Sequence, residues 1–159
     1  MSQKSLSILL KISVIVLAFV GLCAYTVLFP LYWVKKLSLF PELSDRFLPW
    51  LLFITFTSIP VFFALTLCFL LAVNIGKDKS FTQRNARYLK WITIDAAATC
   101  VYFLVGNFVM FFSGISRPGI FLLSIIVVIL GLTIAVVAAV LSNLVAKAAA
   151  IKDENDLTI

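Results

Sequence analysis

Residues Gly76 to Asp95 read GKDKSFTQRNARYLKWITID, and the fold turns on how this stretch is understood. It is the longest segment that carries both dense charge and a helix-start signal, and long apolar runs flank it on either side. Ser80-Phe81-Thr82-Gln83 has the pattern of a capping box, in which the Ser80 hydroxyl accepts from the Gln83 amide and Gln83 reaches back. The pattern predicts a helix starting near Ser80. Phe81, Tyr88, Leu89 and Ile92 fall to one side of it and Arg84, Arg87 and Lys90 to the rest, as in an amphipathic section at headgroup level that leads into a spanning one.

The rest of the chain is too apolar for water. Its 159 residues are 63% hydrophobic and 13% charged, with a mean hydropathy of +1.14. A soluble domain is about half apolar and about a quarter charged. Lipid must therefore be part of the solvent. The net charge of +6 is what loops retained on the cytoplasmic side give a membrane protein, and it does not point to direct nucleic-acid binding.

Four runs are long enough to cross about 30 Å of hydrocarbon. They are 12–34, 49–75, 91–112 and 120–145, all within one membrane domain spanning 1–159. The first is too long for a signal-peptide core and ends in no A-x-A site. Val20-Gly21-Leu22-Cys23 fails as a lipoprotein box because Leu22 stands where a small residue is needed. Between the first two runs, Pro41 can open a short interfacial turn with Phe40, Leu43 and Phe47 on one face; an ordinary polar loop is the alternative. Pro60 lies inside the second run, where a kink is expected, with Thr55, Thr57 and Ser58 placed to satisfy freed carbonyls. In the fourth, Gly131, Ala135 and Ala139 repeat every four residues near Ser124, Ala138 and Ser142, a spacing that lets helix backbones approach. This predicts a packing face within the bundle, or a seam between two copies. The helix is expected to continue through 146–151 into the acidic tail.

An even number of spans puts both termini on one side. That side, with the 76–90 loop and the 146–159 tail, holds nine basic residues; the other holds Lys35, Lys36, Arg46 and Arg117. The positive-inside rule then places both termini in the cytoplasm of a bacterial plasma membrane. The expected fold is all-α, a four-helix transmembrane bundle.

Catalytic chemistry finds little here. There is no histidine, Cys23, Cys68 and Cys100 sit apart in apolar runs, and no metal-ligand cluster or glycine-rich phosphate loop occurs. A non-enzymatic protein without a cofactor is the expectation. Asp95 is the one ionisable side chain inside a span. It lies about one turn, ~6 Å, past Trp91. At that depth it is read as a structural ion-pair partner of Lys11, Lys90 or Lys147, with a role in ion coupling as the alternative. Arg84, Arg87 and Lys90, with Glu154 and Asp156 in the tail, form a candidate docking surface for a cytosolic partner or for lipid headgroups, set against two merely solvated surfaces.

Three segments together resemble a bacterial membrane family known as domain of unknown function 2975. They are Ile59-Pro60-Val61-Phe62-Phe63-Ala64-Leu65, Phe81-Thr82-Gln83-Arg84-Asn85 with the basic run after it, and Glu154-Asn155-Asp156-Leu157-Thr158-Ile159; Phe40-Pro41-Glu42-Leu43 is similar too. The resemblance covers most of the chain. It implies a four-span protein of unassigned activity, with no catalytic residues to carry over. It also implies partnership with a small helix-turn-helix regulator encoded nearby, and hence membrane sequestration of a transcription factor. A small transporter or channel subunit, or a peptide-immunity membrane protein, is the other class that the residues allow.

Overall fold

The computed structural model describes residues 3–40 and 44–157. It is all helical: α1 (Gln3–Cys23), a π-helical turn (Ala24–Leu28), α2 (Phe29–Leu39), α3 (Ser44–Gly76), α4 (Gln83–Phe112) and α5 (Pro118–Leu157). The first three run on as one rod. Four rods among the described residues are therefore long and apolar enough to span a membrane. Pro41 and Leu43 of the expected interfacial turn lie outside the described residues.

The π turn has a visible cause. Pro30 has no N–H to give the carbonyl of Thr26, four residues back. One residue earlier the register has slipped, so that the Phe29 N–H bonds the Ala24 carbonyl five residues away. The Thr26 hydroxyl donates to the Leu22 carbonyl at 2.7 Å. Pro60 is handled differently: α3 runs through it unbroken. The hydroxyls of Thr57 and Ser58 donate to Ile54 and Thr55, both at 2.6 Å. Neither reaches the carbonyl of Phe56, the one that Pro60 leaves without its helical donor.

The rods pack in the order first rod, α3, α4, α5, each antiparallel to the last. Down the first interface the Ser7 hydroxyl donates to the Ala72 carbonyl (2.7 Å), Tyr25 meets Thr57 (3.1 Å), and Trp33 packs edge-on to Phe47. Between α3 and α4, Asn74 bonds Asn85 at one end, and Phe53 stacks on Tyr102 at the other. Between α4 and α5, Ser142 donates to the Ala86 carbonyl (2.8 Å), Cys100 to that of Val128 (3.6 Å), and Phe111 stacks on Phe121. Both described chain ends and the 77–82 loop thus lie at one end of the molecule.

The α5 seam departs from the four-residue repeat. Its covered positions are Ser124, Val128, Ala135, Ala138, Ser142 and Ala149, with Gly131 completing the line. From Ser124 to Ser142 those steps alternate between four and three, and Ala149 lies one heptad farther on, the 3.5-residue period of a coiled-coil stripe that runs through Ala138 and not Ala139. Gly131 is required there, since a Cβ would come within 2.5 Å of the Cys100 sulfur. Ala86, Cys100 and Asn107 answer on α4 at steps that are multiples of seven. Along the spans, away from the rod ends, the exposed side chains are mostly large and apolar. Only 11–17% of each spanning window is buried, and Phe112 is 78% exposed. In water such a surface would aggregate; against lipid tails it is at home.

Candidate functional site

Three places among the described residues are candidates for a site. The first is the termini-bearing end, and it is built around the loop that follows α3. The last turn of α3 closes as a Schellman motif. The Lys79 N–H bonds the Asn74 carbonyl (3.1 Å) and the Asp78 N–H that of Ile75 (3.2 Å). The left-handed residue this requires is Asp78, with φ of 56°, and not Gly76. Gly76 serves another purpose, because a Cβ there would lie 2.5 Å from the Ser7 hydroxyl.

Helix α4 begins later than the capping-box pattern predicts. Its cap is Thr82, in extended conformation, whose hydroxyl accepts from the Asn85 N–H. Ser80 instead bonds Gln3 (3.2 Å), and Gln83 donates to the Ala146 carbonyl of α5 (3.3 Å). Asn85 displaces the expected box. It is 1% exposed. Its side-chain oxygen accepts from Asn74 (2.7 Å), and its amide donates to the carbonyls of Lys79 (2.8 Å) and Ser80 (2.9 Å). One buried amide thereby ties α3, the loop and α4 together. Sequence reasoning does not single out Ser7, Asn74, Asn85 and Ser142 as a group. Part of their signal is there: Asn74 and Ser142 lie inside apolar runs and Ser7 beside one, where a lone amide or hydroxyl needs a partner, whereas Asn85 stands in the charged stretch with Arg84 and Arg87.

On this frame Arg84, Arg87 and Lys90 are all exposed, with the Arg84 guanidinium 6.0 Å from the Tyr88 ring centre. Helix α5 does not stop beside them. Ala146 is level with Gln83. Glu154, also exposed, stands eight residues farther along, about 12 Å beyond at the rise of an α-helix. The acidic end of α5 therefore lies past the basic row and not next to it. Asp156 falls on the last turn of α5, its side chain outside the described residues, as are Thr158 and Ile159.

The second place is the middle of the bundle. Asp95 lies in the wall of a cavity of about 370 Å³ between α3, α4 and α5, which Pro60, Ala64, Cys68, Cys100 and Ile134 also line. Sequence distance from Trp91 makes this a shallow position. Its neighbours give another answer. The apolar runs of α3 and α5 continue from Ala64 to Ile75 and from Ile134 to Val145, toward the termini-bearing end. Each of those stretches is about 16 Å long at the helical rise. Asp95 is deep because its neighbours start earlier than α4 does. No lysine or arginine lines the cavity. Lys11 reaches toward Gly76, its Nζ 3.7 Å from where a Cβ would stand, while Lys90 and Lys147 are exposed. Among the described residues, no ion pair joins Asp95 to any of the three expected partners. The two threonine hydroxyls of the wall donate to backbone, Thr57 to the Ile54 carbonyl and Thr99 to the Asp95 carbonyl (2.7 Å).

At the far end a cavity of about 390 Å³ is lined by Trp33, Trp50, Tyr32, Lys36, Arg46 and Arg117, among others. Aromatic and basic side chains in this mixture suit a bilayer interface.

Four antiparallel apolar rods with polar ends and a lipid-facing surface define a multi-pass helical membrane protein. The chain belongs to the family described as "Protein of unknown function (DUF2975)", whose model matches residues 31–159. It is similar to the "Uncharacterized membrane protein YoaS" of Bacillus subtilis (strain 168), with 32% identity over 157 residues, covering 96% of this chain and 97% of that protein. No solved structure matches it.

Proposed function

We propose that this protein is a non-enzymatic regulatory anchor of the bacterial plasma membrane. Its termini-bearing end faces the cytoplasm and holds a cytosolic partner there. The partner that family resemblance favours is a small helix-turn-helix regulator, kept from its DNA while it is docked. The observation that carries this reading is the construction of that end. Ser7 and Ser142 fasten the helices by buried hydrogen bonds and Asn85 ties in the loop by partly buried ones, so Arg84, Arg87 and Lys90 are presented from a fixed frame. Helix α5 runs on to Leu157, and so projects about 16 Å past Ala146 as a second tier. A fixed array of cations suits an acidic protein surface, because pre-organised charge gives specificity without further ordering cost. The excess of basic residues at this end supports its cytoplasmic placement.

The test is crosslinking and co-purification from membranes, with the captured protein identified by mass. Replacing Arg84, Arg87 and Lys90 with glutamine, or deleting 154–159, should abolish capture of the regulator while insertion is unchanged. Single cysteines at positions 78 and 113 should label from the cytoplasmic and outer sides respectively. Unchanged capture in both variants sinks the docking reading, and reversed labelling sinks the orientation.

A further inference from the structure

We propose that the cavity at the end opposite the termini seats the phosphate headgroup of an anionic bilayer lipid, held by Lys36, Arg46 and Arg117. This is independent of the docking reading above and of which side of the membrane that end faces.

Three separate parts of the chain build the wall. Tyr32, Trp33 and Lys36 fall on one face of α2. Arg46 and Trp50, one turn apart, come from the start of α3, and Arg117 from the turn into α5. The wall is fixed by contacts behind it. Trp33 packs edge-on to Phe47 and Trp50 edge-on to Phe53, and the Ile115 and Ser116 N–H groups bond the Met110 carbonyl at 2.9 and 3.0 Å. Among the described residues the first rod and α5 do not pack on each other, so the space between them stays open at this end.

The chemistry of the wall selects the ligand. Unlike the cavity in the middle of the bundle, this one presents polar as well as apolar surface. Lysine, arginine and tryptophan side chains are hydrogen-bond donors only, and five of the lining side chains are of those kinds. Among the described residues no carboxylate lines the cavity, and no ion pair engages Lys36, Arg46 or Arg117. Asp45, next to Arg46, is exposed and outside the wall. Three like charges gathered on one concave surface repel one another, the more so beside a medium less polar than water. An anion rich in acceptor oxygens relieves that repulsion and meets the donors. Phosphate does both, and the arginine fork matches its geometry. The rest of the wall gives the phosphate an apolar body. A volume of about 390 Å³ would take about a dozen waters at ~30 Å³ each, far more space than a bare phosphate fills, and Phe29, Ile115 and Ile120 offer it apolar surface. The mixture of tyrosine and tryptophan with cations marks headgroup level, so the cavity opens where lipid phosphates lie. A zwitterionic headgroup brings a cation that the three basic side chains repel, which leaves the anionic lipid preferred.

The test uses the full chain in nanodiscs of phosphatidylcholine, with Trp91→Phe throughout so that Trp33 and Trp50 alone report by fluorescence. Phosphatidylglycerol brominated high in its acyl chains should quench them at a mole fraction about tenfold lower than phosphatidylcholine brominated alike, a preference of about 1.4 kcal/mol. Changing Lys36, Arg46 and Arg117 together to glutamine should bring the two lipids level. The same change at Arg84, Arg87 and Lys90, at the other end, should leave the preference intact. Glycerol phosphate, the headgroup without its chains, should not displace the brominated lipid. Equal quenching by the two lipids before the glutamine changes, a preference kept by a folded Lys36, Arg46 and Arg117 variant, or its loss in the variant at the other end would each overturn the proposal. Displacement by glycerol phosphate would overturn it too, as the mark of a soluble-phosphate site. If the triple variant does not fold, Arg46→Gln and Arg117→Gln singly decide: each should at least halve the preference, and no change in either overturns the proposal.

Discussion

Replacing Asn85 with alanine should release the 77–82 loop while the spans stay assembled. The side chain makes three hydrogen bonds: one accepted from Asn74 and two donated to the carbonyls of Lys79 and Ser80. Lys79 is exposed, and Asn74 and Ser80 are half-buried, so water can replace part of what is lost. The net value of such bonds, about 0.5–1.5 kcal/mol each, therefore applies, and not the full penalty for burying orphaned groups. Three of them come to about 1.5–4.5 kcal/mol. At about 1.4 kcal/mol per factor of ten, the population of the opened loop rises roughly 10- to 1,600-fold. Trypsin reads this directly, since Lys77 and Lys79 lie in the loop, and cleavage through a rapidly reclosing opening follows the open population. Cleavage at Lys152, on an already exposed part of α5, is the internal control. Asn85→Asp keeps the acceptor but loses both donations and sets a negative charge against two carbonyls, so it should open at least as far. Wild-type cleavage rates at Lys77 and Lys79 in Asn85→Ala, with helicity unchanged, would refute the claim that this one amide holds the loop.

Two further outcomes rest on close approaches and strain in the backbone. Gly131→Leu forces a side chain against the Cys100 sulfur at the α4–α5 seam. It should destabilise the protein by about 1–3 kcal/mol, the usual cost of overpacking, seen as a lowered Tm in detergent. Asp78→Gly should do the opposite, raising stability by up to about 1 kcal/mol, because glycine takes the left-handed C′ position of the Schellman motif without the strain an L-residue carries there. A lower Tm would count against the assigned turn.

The architecture was legible because lipid imposes a length rule and charge marks the breaks. GKDKSFT and SGISRPG interrupt apolar runs too long for a soluble core, and those two interruptions with the 35–48 segment suffice for four rods. Packing detail was less so. The α5 seam reads as period four if one counts glycine and alanine, yet the covered line steps by four and three, because antiparallel contact with α4 draws the stripe along a 3.5-residue path through Ala138. The cap moved from Ser80 to Thr82 because Ser80 and Gln83 found partners on other helices, Gln3 and Ala146, which no local pattern can anticipate. The π turn at 24–28 did have a local sign, Pro30 within a span, though its form depends on which neighbouring carbonyls find hydroxyls.

Depth was the quantity that sequence distance misjudged, and the reason bears on two of the three candidate sites. A span read alone begins where its own charge ends, which for α4 is Trp91. In the bundle, the Asn74–Asn85 and Gln83–Ala146 bonds set the registers, and they place the whole 83–90 section beside parts of α3 and α5 that are still apolar. That section is about 12 Å long at the rise of an α-helix. Arg84, Arg87 and Lys90 must extend along it to water, as long cationic side chains do near helix ends, while Gln83 and Asn85 turn their amides onto backbone carbonyls. The same offset that makes these cations project as an array carries Asp95, five residues on from Lys90, into the middle of its neighbours' apolar runs. A carboxylate placed there by register, and not by its own helix, has the basic row above it and the apolar cavity beside it. Shifting α4 by one turn against α3 would undo both arrangements together, and the Asn74–Asn85 bond at one end and the Phe53–Tyr102 stack at the other both oppose it.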